Sequence, residues 1–482
     1  MLGALLVTIV VAPLAVVAGS LILPRAATAQ YLNLASSAVV FACVLLLPAL
    51  ALNEPRHFLG GYVILDAPGA WVLLCTACVY LLSSIYAVGY MRLLDEERRL
   101  PHFYALFAGF ALTTLVGPLM NNVGVYWIAI ELTTLVSTFL VAFEHGTESI
   151  EAAWKYILVV SAGISLALLG TVLFYWGGTG VLGPTYDMTW SVLKGVAPQV
   201  PGPLMALSFL LVLLGYGAKV GLAPMHTWLP DAHSEAPAPV SAMLSGALLN
   251  TAMLGIARFV GVADAAHIGP TARAVLVALG VLSLLVAALF IVRQKGIKRL
   301  MAYSSVEHMG VLALGIGFGG VLGVAGAMYH MLNHSLNKSL MFFGAGNVMR
   351  GLGTKQIGEL RGVLQRFPVT GALWGAGAVA ITGAPPFGLF LSELAILRAG
   401  YATPHLWAVV AMVLLLIVIF VGFLAHFRQM YFDENGNDRP LTPLSAWCLA
   451  PMWLALIPIL VLGVWWPEGL SAFFAVVLRD LE

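Results

Sequence analysis

Apolar residues run along the chain in blocks of about twenty, separated by short joints rich in polar residues, glycine and proline. A helix rises 1.5 Å per residue, so about 20 such residues span a hydrocarbon core roughly 30 Å thick. The pattern predicts about fourteen membrane-spanning helices, at 2–23, 31–51, 66–90, 104–120, 123–143, 152–176, 204–229, 238–260, 271–292, 300–319, 321–349, 368–399, 405–427 and 444–468. The first has no Lys or Arg before it and its apolar run is long for the core of a signal peptide, so it reads as a retained span. No joint is long enough for a separate soluble domain.

Two of the predicted helices are interrupted. The seventh and the loop after it read "YGAKVGLAPMHTWLPDAHSEAPAPVSA", with breaks expected at Gly221 and Pro224. The twelfth reads "ITGAPPFGLFLSELAIL", with a break at Gly383 and the pair Pro385 and Pro386. Glycine and proline remove helix hydrogen bonds, which is tolerable in a membrane only where the freed groups are buried in protein or meet water. Counted from helix 4, each break falls fourth in a group of five. Five is odd, so successive groups have opposite topology, and the pattern predicts an inverted-repeat architecture. The chain then divides into N-terminal helices (1–103), a first repeat (104–260), a second repeat (271–430) and a last helix with its tail (444–482), all within one all-α polytopic membrane domain.

Composition agrees, with 61% hydrophobic and only 9% charged residues. A net charge of +1 excludes a nucleic-acid role driven by bulk charge. Lysine and arginine favour the joints after odd-numbered helices, as at Arg92, Arg98, Arg99, Arg293, Lys295, Lys298 and Arg299. By the positive-inside rule those joints face the cytoplasm and both termini face outward. Three cations, Lys155, Lys219 and Lys338, fall inside predicted spans.

A charge at the bilayer centre costs about 2.5–3.5 kcal/mol on insertion scales, so such residues pair or line water. Glu131 stands mid-helix in "VYWIAIELTTLV", Lys219 precedes the seventh-helix break, and Glu393 follows the twelfth-helix break. In "HMLNHSLNKSLMFF", His330, His334 and Lys338 stand four apart, on one helix face, in a ladder roughly 12 Å long. Two readings fit these groups. In one they relay protons, because a buried lysine loses part of its preference for charge and imidazoles both donate and accept. In the other they form static hydrogen bonds that fix helix packing.

Several features lack a matching chemistry. Cys75 and Cys78 have no second pair or nearby histidine and read as inert small residues. His226, Asp231, His233 and Glu235 read as satisfying the end of a broken helix rather than holding a metal. There is no motif for a cofactor, a redox centre or hydrolysis.

The stretch "KVGLAPMHTWLPDAHSEAPAPVSAMLSGALLN" resembles the antiporter-like membrane subunits shared by respiratory Complex I, Mrp sodium/proton antiporters and energy-converting hydrogenases. "AYSSVEHMGVLALGIGFGG" and "HMLNHSLNKSLMFFGAGN" most resemble the F subunit of hydrogenase-4 and formate hydrogenlyase-type complexes. The resemblance implies a proton path along Glu131, Lys155, Lys219, His330, His334, Lys338 and Glu393, whose last position is Lys or Glu across the family. It implies no cofactor or metal in this chain. It also implies a cell-membrane location and partners comprising other membrane subunits and a soluble hydrogenase or dehydrogenase module. The alternative it leaves is a sodium/proton antiporter subunit of Mrp type. Where many relatives carry a connecting lysine in helix 8, this chain has Asn250, which takes up no proton, so the path there either runs through water or is interrupted.

Overall fold

The computed structural model describes residues 2–94, 97–432 and 442–482. Helices form nearly all of it. Eleven of the described helices are long and apolar enough to cross a membrane. The remaining predicted segments also form helices, but polar or short ones. Ile297–Phe318 carries Lys298, Arg299 and Glu307; Gly320–Leu352 carries the histidine–lysine ladder; the twelfth divides into Pro368–Ile381 and Gly388–Tyr401.

The polar helices occupy the middle. Gly320–Leu352 is buried from Gly323 to Val348 and packs against Ala67–Tyr90, Ile297–Phe318 and Gly388–Tyr401. The most apolar helices, Leu2–Ile22, Leu406–Phe432 and Ala446–Val464, lie at the rim with many side chains exposed. This inside-out arrangement suits lipid, which solvates leucine well and an ammonium group poorly.

Both expected breaks are present. Helix Gly202–Val220 ends where Gly221 adopts φ 80°, and the chain resumes helix at Leu229–Glu235. Helix Pro368–Ile381 ends shortly before Gly383, at φ 67°, and resumes at Gly388–Tyr401. Only glycine takes up such left-handed conformations at little cost. In both breaks a proline follows the glycine by three positions, at Pro224 and Pro386. The helix after the first break, Ala238–Ala265, contains one wider π turn at Leu244–Leu248.

Other differences from the sequence reading have local causes. Thr147–Leu182 begins five residues before the predicted span and so lifts Lys155 toward a membrane face. Lys298, assigned to a joint, is buried and donates to the Ala236 carbonyl. Residues 56–65 form a small antiparallel hairpin, Arg56–Phe58 with Val63–Leu65. A further helix, Glu468–Leu481, packs Phe473 and Phe474 around Trp71. Nearby, Arg258 is buried and grips Asp66 with both nitrogens, at 2.8 and 3.0 Å.

Candidate functional site: a buried polar row

The row begins on helix Val123–Val141, which starts cleanly because the Asn122 side chain caps the Val125 amide. Glu131 is half-buried. One of its oxygens accepts from Ser161 at 2.6 Å and the other from Thr134 at 3.5 Å. Lys219 is fully buried at the last turn of its helix, where the carbonyl end of the helix dipole favours a cation. Its Nζ donates to Thr134 Oγ1 at 2.7 Å and to the Tyr156 hydroxyl at 3.1 Å. Tyr156 in turn shares a 2.7 Å bond with Ser137. Among the described residues no ion pair joins Glu131 to Lys219. One hydroxyl connects them, accepting from the ammonium and donating to the carboxylate.

Aromatic rings lead inward from there. Tyr156 packs on Trp228, and Trp228 lies 6.1 Å from the buried His233 ring. Neither nitrogen of His233 has a protein partner. His226 also has an unpartnered Nδ1, whereas Asp231 and Glu235 point to the surface and form ion pairs. The expectation that all four satisfy a helix end is therefore not met. Asn250 donates to the Gly246 carbonyl at 3.0 Å and to Ser335 at 2.9 Å, while its Oδ1 has no protein partner. Gly246 lies in the π turn, which frees its carbonyl to accept from both Asn250 and Ser335.

Lys338 is fully buried. It donates to the Met301 carbonyl at 2.9 Å and, at closer range, to Ser304. One turn away on the same face, His334 has no protein partner at either nitrogen. Its ring lies 6.4 Å from that of His330 and 5.2 Å from that of His308. His330 shares a 3.0 Å bond with His308 and a 2.9 Å bond with Ser392. The next residue after Ser392 is Glu393, whose carboxylate covers the backbone of Gly383 so closely that a Cβ there would lie 2.0 Å from Oε2. His308, His330 and Glu393 each present a nitrogen or oxygen within 4.8 Å of the others.

Lys155 stands apart from this row. It is half-exposed and paired with Glu151 at 2.6 Å and Asp231 at 3.2 Å. Arg299 joins Asp231 at 2.7 Å, and Lys355 joins Glu148 and Glu235. Burial alone pulls the Lys355 ammonium down, but its bonds to Glu148 and Glu235 outweigh that and hold it above the ordinary lysine value. These residues line an open cavity of about 1300 Å³, whose wall also includes apolar Leu285, Leu289 and Leu415.

Comparison with known proteins places this arrangement. The family model described as "NADH:quinone oxidoreductase/Mrp antiporter, TM" matches residues 120–419. The chain belongs to this family. It is 34% identical to the hydrogenase-4 component F homolog of Methylacidiphilum infernorum, over 86% of this chain and 90% of that protein. It is 30% identical to NADH-quinone oxidoreductase subunit N of Desulforudis audaxviator, over 89% and 86%. Its fold matches a chain of the archaeal membrane-bound sulfane sulfur reductase (TM-score 0.89, 23% identity, 100% and 97% covered). It also matches a chain of the Mrp complex from Dietzia (TM-score 0.87, 18% identity, 100% and 99% covered).

This antiporter-like subunit thus brings His330, His334 and Glu393 into one row and Glu131 with Lys219 into one bonded group. It keeps Lys155 outside the buried row. His308 and Glu307 escaped the sequence reading, although "SSVEHMG" sets a glutamate and a histidine inside a buried helix. Thr134, Ser137, Tyr156 and Ser161 carry no such signal, because hydroxyls are tolerated anywhere in a membrane helix that offers a free carbonyl.

Proposed function

We propose that this antiporter-like subunit moves protons along the buried row, from Glu131 and Lys219 through Lys338 and the histidines to Glu393, within a redox-driven membrane complex of hydrogenase or NADH dehydrogenase type. The observation that carries the reading is the set of unpartnered nitrogens on fully buried histidines: both of His233, both of His334 and Nε2 of His308. A static packing role would have matched them with acceptors or donors, since an unmet buried polar atom costs about 1–3 kcal/mol. Atoms of this kind, repeated along one line, suit exchangeable water, which proton transfer needs.

Thr134 lets the Glu131 charge act on Lys219 without fusing the two into a fixed ion pair. Asn250, with a free Oδ1, orients water between the halves but holds no proton itself. Glu393 exchanges protons toward one membrane face at the break, where Pro385 and Pro386 are exposed. Lys155 belongs to the charged mouth, beside Asp231, and delivers protons to the row rather than storing them. The matched Gly-x-x-Pro breaks support two inverted five-helix repeats, with residues 104–260 and 271–430 as the units. The charged joints support a cytoplasmic mouth and outward-facing termini in the cell membrane. The partners are further membrane subunits and a soluble redox module. The electrons stay in that module, so this chain carries no redox step.

The test is Glu131→Gln in the assembled complex, reconstituted in vesicles. Glutamine keeps the shape and the Ser161 bond but removes the charge. Complex assembly is expected to persist while redox-driven proton transport falls. Full transport by that variant overturns the relay. A sodium/proton exchange role predicts instead that transport requires sodium, so transport in sodium-free vesicles separates the two.

A further inference from the structure

We propose that His308, His330 and Glu393 form a binding site for a divalent cation of the zinc class, beside the break that follows Pro368–Ile381. The three residues come from three different helices, Ile297–Phe318, Gly320–Leu352 and Gly388–Tyr401. Each offers a ligand atom within 4.8 Å of the other two. His308 Nε2 and Glu393 Oε1 have no protein partner, although both residues are more than nine-tenths buried. Ser392 holds the His330 ring at Nδ1, as a ligand imidazole is oriented by a neighbour on its other nitrogen. That leaves Nε2 as the ligand atom, whose 3.0 Å bond to His308 Nδ1 is exchanged for the metal.

The donor set selects the ion. Two imidazoles and one carboxylate suit zinc, which takes nitrogen and oxygen at about 2.0–2.2 Å and leaves a fourth position for water. Sodium, magnesium and calcium prefer shells built mainly of oxygen, which this cluster does not supply. Ligand atoms around a tetrahedral zinc lie about 3.4 Å apart, so the cluster closes by roughly 1.5 Å at most. Glu393 supplies that movement by lifting off Gly383. Access is short, because Pro385 and Pro386 are exposed and Thr382 to Ala384 are half-buried. A bound zinc takes up the lone pairs that His308 and Glu393 would use for protons, and it places two positive charges at the end of the row. Zinc therefore inhibits proton passage there. That consequence rests on the proton-transfer reading, whereas the binding does not.

The experiment uses the intact purified complex, freed of metal with a chelator and titrated with zinc ion alone by calorimetry. One site per copy of this chain is expected, weakened about a hundredfold or more by His308→Gln or Glu393→Gln, because each removes a ligand. Unchanged stoichiometry and affinity in both variants overturn the site. Should either variant fail to assemble, X-ray absorption of the unmodified complex with one equivalent of zinc decides. Two imidazoles with a carboxylate oxygen support the site, and a shell of oxygens alone or of sulfurs refutes it. Displacement of zinc by excess sodium chloride overturns the selectivity argument. Binding without any loss of redox-driven proton uptake leaves the metal site standing and counts against the proton-transfer reading.

Discussion

Among the described residues Lys219 reaches Glu131 only through Thr134: the ammonium donates to Oγ1 at 2.7 Å, and the same hydroxyl stands 3.5 Å from the carboxylate. The short bond lies on the lysine side. Glu131 and Thr134 share one helix while Lys219 stands on another, so motion between the two helices changes the link to the lysine and leaves the link to the carboxylate in place.

Thr134→Val keeps the shape and removes the hydroxyl. A hydrogen bond to a charged group is worth about 1.5–3 kcal/mol, so redox-driven proton transport in vesicles is expected to fall about ten- to hundredfold. Thr134→Ser restores most of it. If the valine variant transports at the parent rate, Thr134 does not link the pair.

Lys338 is held by a carbonyl and a serine hydroxyl, and among the described residues no carboxylate is bonded to it. Its proton can therefore leave without breaking an ion pair. Lys338→Ala is expected to abolish transport, and Lys338→Arg to do nearly as much, because arginine keeps its proton. His330→Ala is expected to do less harm, since water can occupy the vacated space between His308 and Ser392. Equal transport by the arginine variant and the parent, at matched complex levels, would show that Lys338 is a fixed charge.

Glu393→Gln should slow proton release, while Glu393→Asp keeps a carboxylate and should retain part of the rate. Gln, Asp and parent complexes with identical rates would remove Glu393 from the row.

Arg258 and Asp66 form a two-pronged buried pair far from these groups in sequence and role. Losing one partner of such a pair costs about 3–5 kcal/mol. Asp66→Asn is therefore expected to lower the melting temperature of the complex, read by tryptophan fluorescence, with transport per folded complex unchanged. An unaltered melting curve would contradict the structural role of the pair.

The helices and both breaks were legible because lipid imposes a length on apolar runs and glycine with proline marks where they stop. Glu131, Lys219, Lys338 and Glu393 were legible for the same reason, as charges where charge is expensive. Lys155 stands in "AAWKYILVV", apolar on both sides, and its exposure was not legible there because it follows from a helix that starts at Thr147 and lifts the ammonium to the charged mouth. His308 and Glu307 were missed because they follow a basic joint, and Lys298 was assigned to that joint although it is buried. The hairpin at residues 56–65 has strands of three residues, too short to leave a pattern. The link through Thr134 depends on how two helices face each other, which no local pattern encodes.

The contact between Glu393 and Gly383 carries a consequence for what else could stand at position 393. The carboxylate rests on bare backbone, in the space that any side chain at 383 would fill. Its reach is thus matched to a floor ten residues earlier. A lysine, the other residue that resemblance to the family allows there, is longer and would overshoot that floor unless the turn also changed. Length as well as charge therefore ties the two positions together, and a change at one is expected to require an answering change at the other.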